Sequence, residues 1–209
     1  MDVEVEPANG ESNGEILGPC LTSHIDEGSA ESHRYYLSRR TVLEMLRDRG
    51  YSVPASEIDL SLQDFRFLHG PTPDIERLRF SATHCTDPSD RMLVIYCGPG
   101  IVKVNVIRGL HSQIANKDTL TGLILITQNQ ITDLLVNITK HVLKPKHRVL
   151  TDKEKGKLLK KYNIEEKQLP RLSRKDAISR YYGLEKGQVL KVTYTGDITE
   201  SHVTYRCIW

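Results

Sequence analysis

Apolar side chains recur at helical spacing along residues 31–49, where Tyr35, Tyr36, Val42, Leu43 and Leu46 share one side. Gly50 then stands where a helix C′ residue belongs. Ser61 is placed to cap a second helix bearing Leu62, Phe65 and Leu68, closed by Gly70. Pro73 opens a short third helix with Ile75 and Leu78 on one side. The compact apolar run 92–97 predicts a strand, stopped by Gly98-Pro99-Gly100. Val106, Ile107, Leu110 and Ile114 predict a helix, and 123–126 a second buried strand. Further on, Thr151 with Glu154 makes a capping-box pattern ahead of Leu158 and Leu159. Ser173 with Asp176 resembles another ahead of Ile178, Tyr181 and Tyr182, with Gly183 as C′. Leu190, Val192 and Tyr194 alternate, as do Val203, Tyr205 and Cys207. With Gly196-Asp197 between them, these runs predict an antiparallel hairpin.

Composition adds limits. The chain has 209 residues, 38% hydrophobic and 27% charged, the profile of an ordinary globular protein of one large or two small domains. No apolar run approaches the ~18 residues of a membrane span. Cys20, Cys85, Cys97 and Cys207 lie far apart without a CxxC pair, which argues for free thiols over a zinc ribbon. Net charge is only +2, but it is unevenly spread. Residues 1–33 hold eight acidic side chains and no Lys or Arg, and residues 1–31 read as a disordered acidic tail rather than a signal or transit peptide. From Lys140 onward there are 17 basic against 8 acidic side chains. Such a half faces nucleic acid, or more commonly water or an acidic protein.

Catalytic constellations are missing from the pattern. The eight histidines show no HExxH spacing. Asp64 with Glu165-Glu166-Lys167 is the nearest approach to a nuclease set, yet its Glu and Lys fall in a polar segment before Pro170 and not on a core strand. Gly98-Pro99-Gly100 lacks the GxGxxG spacing, and Pro99 removes an amide that would cradle a phosphate. Asn137-Ile138-Thr139 matches a glycosylation acceptor, although nothing routes the chain to the secretory pathway. No catalytic, cofactor-binding or metal-binding residue is therefore expected.

Longer motifs carry a family resemblance. Met45-Leu46-Arg47-Asp48-Arg49-Gly50-Tyr51 and the run Leu134-Leu135-Val136-Asn137-Ile138-Thr139-Lys140-His141-Val142-Leu143 resemble elements of eukaryotic RNA polymerase subunit five. So do Gln168-Leu169-Pro170-Arg171-Leu172, Arg180-Tyr181-Tyr182-Gly183-Leu184 with Lys186-Gly187-Gln188-Val189, and the ending Tyr205-Arg206-Cys207-Ile208-Trp209. The resemblance covers 32–209. Its last third also resembles the small archaeal polymerase subunit that consists of that domain alone. The acidic tail and Ser32-His33-Arg34-Tyr35-Tyr36 look like the plant variant found in RNA polymerase V.

The resemblance implies an N-terminal α/β jaw domain over 32–140 and a C-terminal α+β assembly domain over 141–209. It implies a non-catalytic subunit of a nuclear RNA polymerase, bound to the largest subunit and others, with weak, non-specific contact to downstream DNA and none to membrane. The alternative is a free-standing basic nucleic-acid-binding module. In the family, a helix and a strand follow the strand matching 122–127. Here Gln128-Asn129-Gln130 runs straight on, so the jaw sheet is expected to be truncated near 129–130. Leu134, Val136 and Ile138 alternate and suit a replacement strand. Pro170 biases Leu169 towards extended geometry, offering an edge to a partner. Tyr181, Tyr182 and Tyr205 are anchor-type residues, and Arg171 and Arg180 suit carboxylates on a larger subunit. Gly183 and Gly187 are expected to be structural.

Overall fold

Residues Ala30–Asp48 form a 19-residue helix, α1. Its first half buries one stripe, with Tyr35 and Ser38 facing inward. From Thr41 through Leu46 every residue is buried, Glu44 included. A helix buried all round must be surrounded, and α1 is the element on which the rest packs. It ends where Arg49 N–H donates to Met45 and Leu46 carbonyls and Gly50 N–H donates to Arg47. Gly50 takes φ 95°, and a Cβ there would stand 2.7 Å from His84 Nε2. Only glycine fits that turn.

The computed structural model describes residues 30–98, 102–114, 119–127, 131, 133–195 and 201–209. Most of the expected acidic tail, the 128–130 junction, Pro99-Gly100 and the Gly196-Asp197 connection lie outside these residues. Among the described residues, no helix is long and apolar enough to cross a membrane.

After α1 come two short helices, α2 (Ala55–Ile58) and α3 (Leu62–His69). Ser61 caps α3 as expected, accepting from Asp64 N–H at 3.1 Å, and Gly70 closes it. The third is a 3-10 turn, Ile75–Leu78, capped by Asp74 rather than opened by Pro73, because Asp74 Oδ1 accepts from Glu76 N–H at 3.0 Å. A three-stranded sheet follows: β1 (Phe80–Thr83), β2 (Arg91–Tyr96) and β3 (Gly122–Ile126), in that order. β1 runs antiparallel to β2; β2 and β3 are parallel, joined by a crossover containing α4 (Val104–Gln113). Gly122 opposes Met92, and a Cβ at Gly122 would stand 2.7 Å from the Met92 thioether. The core of this half gathers Val42, Leu46, Phe65, Leu78, Val94 and Ile126 around α1, with Tyr35 and Tyr96 edge to face at 5.9 Å.

The second half opens with β4 (Lys146–Val149) and α5 (Asp152–Tyr162). α5 carries the full Thr151–Glu154 capping box and ends on Asn163 in the left-handed region. β5 (Arg171–Leu172), α6 (Ala177–Tyr182), β6 (Val189–Tyr194) and β7 (His202–Ile208) complete a sheet of order β4-β6-β7-β5. The β6–β7 hairpin pairs antiparallel, and β5 lies parallel to β7. Leu158, Leu169, Val189 and Cys207 form one apolar cluster, and Ile178, Leu184, Leu190 and Ile208 another.

Three expectations change. Asp176 itself caps α6, accepting from Ile178 N–H at 2.9 Å, while Ser173 Oγ accepts from Lys175 N–H in a turn of its own. Residues 133–134 and 138–140 are 3-10 with a bend at 135–136, and not a replacement strand, because Asn137 breaks the alternation by accepting from Thr139 N–H. The edge expected at Leu169-Pro170 is used internally: Cys207 N–H donates to the Pro170 carbonyl at 2.8 Å, and β5 pairs with β7.

Gly183 ends α6 at φ 63°, and a Cβ there would stand 3.1 Å from Arg49 Cζ. Replacing it with Val strains the backbone by ~1–2 kcal/mol and crowds that guanidinium. A melting point lowered by at least ~2–4 °C is expected by differential scanning calorimetry; no change would show that the helix end relaxes freely.

Candidate partner-binding surface and the domain junction

The two halves meet at the buried end of α1. Glu44, 2% exposed, accepts from Asn137 Nδ2 at 2.7 Å and from the Lys140 ammonium, with Arg40 Nε 3.7 Å away on the preceding turn. Burial alone pushes the carboxyl up. The Asn137 and Lys140 donors and the Arg40 charge outweigh that and hold it below its ordinary value. Asn137 is itself held by Thr139, whose N–H and Oγ1 both donate to Asn137 Oδ1, at 3.0 and 2.7 Å.

One turn further, Arg49 reaches the end of α6. Its Nε donates to the Tyr181 carbonyl at 2.8 Å and its Nη2 to the Arg180 carbonyl at 2.7 Å. These belong to the last turn of α6, where the helix dipole favours a cation; the Arg180 carbonyl also accepts from Gly183 N–H at 3.2 Å. Tyr181 answers from the other side: its hydroxyl donates to Asp48 Oδ2 at 2.8 Å and accepts from Asn137 Nδ2 at 3.2 Å. Burial and then the bond to Asp48 push the phenol pKa up, so it stays a donor. An apolar cavity of ≈ 370 Å³, lined by Val42, Met45, Ile124, Ile126, Val136 and Ile138, lies beside these contacts.

The partner-binding candidates divide accordingly. Leu169 is buried with Leu158, Val189 and Cys207. Tyr181 fills a place in the core of the first half, not of its own. Both side chains are thereby turned inward, because each is the apolar plug of a small core. Tyr182 is half-buried, edge to face with Tyr181 at 5.2 Å, and Tyr205 is half-buried beside the Leu158 cluster. Arg180 is exposed and donates to Asp133 Oδ2 at 3.1 Å, across the junction. Pro170 and Arg171 face outward, with the Arg171 guanidinium 4.2 Å from the Trp209 ring and Lys186 Nζ 5.0 Å from it. Gly183 is placed as described above. Gly187 takes φ 90°, where a Cβ would stand 3.1 Å from Glu166 Oε1, and its carbonyl accepts from Lys155 Nζ at 2.7 Å.

Pattern reading missed Glu44, quoted Arg49, Lys140 and Trp209 only within motifs and without a role, and gave Asn137 only a glycosylation match with nothing to support it. A charged residue inside the apolar run Val42 to Leu46 was the available signal. The nuclease-like set is dispersed: Asp64 accepts from the Ser61 cap of α3, while Glu165 caps the 3-10 turn Glu166–Gln168 in the second half.

Two mixed α/β units thus lie in series, clamped by a buried carboxylate and by an arginine on helix carbonyls. Residues 29–114 match the model for RNA polymerase Rpb5, N-terminal domain, and residues 136–208 match that for RNA polymerase Rpb5, C-terminal domain. The chain belongs to the RNA polymerase Rpb5 family. It is 55% identical over 210 residues to DNA-directed RNA polymerase V subunit 5A of Arabidopsis thaliana, covering 91% of this chain and 95% of that one. It is 54% identical over 204 residues to subunit 5B of RNA polymerases IV and V from the same plant, covering 88% and 94%. Identity to subunit RPABC1 of RNA polymerases I, II and III from Caenorhabditis elegans is 30% over 205 residues, covering 85% and 97%.

Arg49→Ala leaves the Tyr181 carbonyl without its donor and the Arg180 carbonyl with only the Gly183 N–H at 3.2 Å, a cost of about 1–3 kcal/mol. Chemical denaturation should show that loss, together with a separation of the two halves' transitions.

Glu44 carries a pH signature. Its folded pKa is depressed, so its contribution is present above the unfolded carboxylate pKa and is lost as pH falls through the folded value. Melting points taken downward from neutral pH should fall more steeply below the ordinary carboxylate range in the wild type than in Glu44→Gln. Parallel curves would remove Glu44 from the account.

Proposed function

We propose that this chain is a non-catalytic subunit of a nuclear DNA-directed RNA polymerase, of the plant polymerase V type. Its second domain, 141–209, docks on the largest subunit, and its first, 32–140, forms part of the jaw beside downstream DNA. The observation that carries this reading is the order of the two Rpb5 domains along one chain, with high identity to polymerase V subunits across nearly all of it. The second domain holds two apolar clusters of its own, yet it is near the size where such cores are marginal, and a partner's surface adds burial. Val142 and Leu143 are 95% and 86% exposed at its start, and Pro170 and Arg171 are exposed further along. Apolar side chains held in water beside a cationic rim are what a docking surface presents.

The first domain is proposed to lack the helix and strand that follow β3 in the family. The match to subunit 5A is 210 residues long but takes in only 91% of this 209-residue chain, so that relative has residues with no counterpart here. The gap between the two domain matches, 115–135, contains the expected junction. β3 is the end strand of its sheet and has no outer neighbour among the described residues. The jaw contact made by the missing segment in the family is accordingly not carried to this chain.

The test is affinity purification of the tagged chain from plant nuclei. Recovery of the largest subunit of a polymerase is expected, and residues 141–209 alone should retain it. Recovery of nucleic acid with no polymerase subunit would replace this reading with that of a free-standing binding module.

A further inference from the structure

The solvent side of α5 breaks two local rules at once. At 100° per residue, Lys153, Lys157, Lys160 and Lys161 fall within one arc of about 100° that leaves out buried Leu158, and all four are exposed. Lys153, Lys157 and Lys161 stack at i, i+4 and i+8, and like charges at that spacing destabilise a helix. Glu154 is taken by Arg148 at 2.9 Å and by Thr151, and among the described residues none of the four lysines forms an ion pair. Flanking the arc, about 40° beyond Lys160, lies Gly156, where a Cβ would meet nothing within 4 Å. Packing does not require this glycine, and mid-helix glycine costs about 1 kcal/mol relative to Ala. At the end of the helix, Tyr162 is 53% exposed, with Lys161 Nζ 5.3 Å from its ring.

A row of repelling cations beside a bare stretch of backbone suits a ligand that brings regularly spaced negative charge close to the helix. Rules broken together on one exposed face mark a functional surface. We propose that the lysine face of α5 binds the phosphate backbone of nucleic acid without regard to sequence. Lys153, Lys157 and Lys161 recur about every 6 Å along the axis, so successive ammonium groups reach successive phosphates of one strand. Gly156 lets the sugar-phosphate chain approach the helix backbone. Tyr162 offers a hydroxyl and a ring edge where the row ends. A folded acidic protein, with carboxylates on uneven side chains, matches a linear, equally spaced row less well. The proposal rests on the polymerase reading only for the presence of nucleic acid nearby, and the α5 lysines are separate from Pro170, Arg171, Val142 and Leu143.

The test uses the full chain and a fluorescein-labelled DNA duplex of about 20 base pairs, followed by anisotropy across a salt series. Replacing Lys153, Lys157, Lys160 and Lys161 with Gln should weaken binding roughly tenfold or more near physiological salt and flatten the slope of log K against log salt by about 0.9 per lost contact. A charge-matched control replaces Lys146, Lys167, Lys175 and Lys186, all exposed and outside this face, and should change both quantities much less. Circular dichroism checks that each variant is folded; Lys157→Gln and Lys160→Gln singly provide the same slope test with smaller disturbance. Equal losses in the two quadruple variants would overturn the proposal in favour of diffuse charge. Displacement of the duplex by polyglutamate at equal charge concentration would overturn it in favour of an acidic protein. Recovery of the polymerase largest subunit with the α5 variant is expected to be unchanged, so failure of DNA binding and failure of assembly are read separately.

Discussion

A carboxylate buried in the middle of a helix needs donors, and Glu44 obtains them from a segment almost a hundred residues later. Desolvating an ion costs several kcal/mol unless hydrogen bonds replace its water. Asn137 and Lys140 supply that replacement, which pins residues 137–140 against α1. The second domain begins a few residues on, so the same contact sets where its sheet starts. Arg49 and Tyr181 then fix its orientation, each crossing the junction in the opposite direction. Gly183 is part of this arrangement as well, since its lack of a Cβ leaves room for the Arg49 guanidinium.

The domains are small, and their relative placement is specified by polar groups that demand particular partners, while the apolar contacts only demand burial. Tyr181 shows the consequence: it sits in α6 of the second domain but completes the core of the first. Surfaces left outside the clamp differ in chemistry. Around Pro170 and Trp209 lies a cationic and aromatic patch, whereas α5 presents lysines in a row. The acidic stretch at residues 1–33 and the basic half beyond Lys140 keep net charge near neutral while giving opposite ends of the chain opposite preferences.

Reading the chain by pattern succeeded where signals are local. The α1 stop at Gly50, the Ser61 cap, the Thr151–Glu154 capping box and the β6–β7 hairpin depend on residues within a few positions of each other. β1, β4 and β5 escaped because they are two to four residues long and gain their identity only by pairing with strands far along the chain. For the candidate surface, long motifs picked out the segments, but not that Leu169 and Tyr181 are buried, since exposure depends on what packs over a residue.

By itself the sequence determined the family, the order of the two domains, the helix ends and the glycines at which the chain turns, because each is written in neighbouring residues or in contiguous motifs. Only the tertiary structure decided which charges are buried and which partners they take. It brought Glu44 to Asn137 and Arg49 to the carbonyls of α6, and among the described residues it left Lys153, Lys157, Lys160 and Lys161 of α5 without ion pairs. Those outcomes rest on distances between residues about a hundred positions apart, and no periodicity along the chain records such a distance.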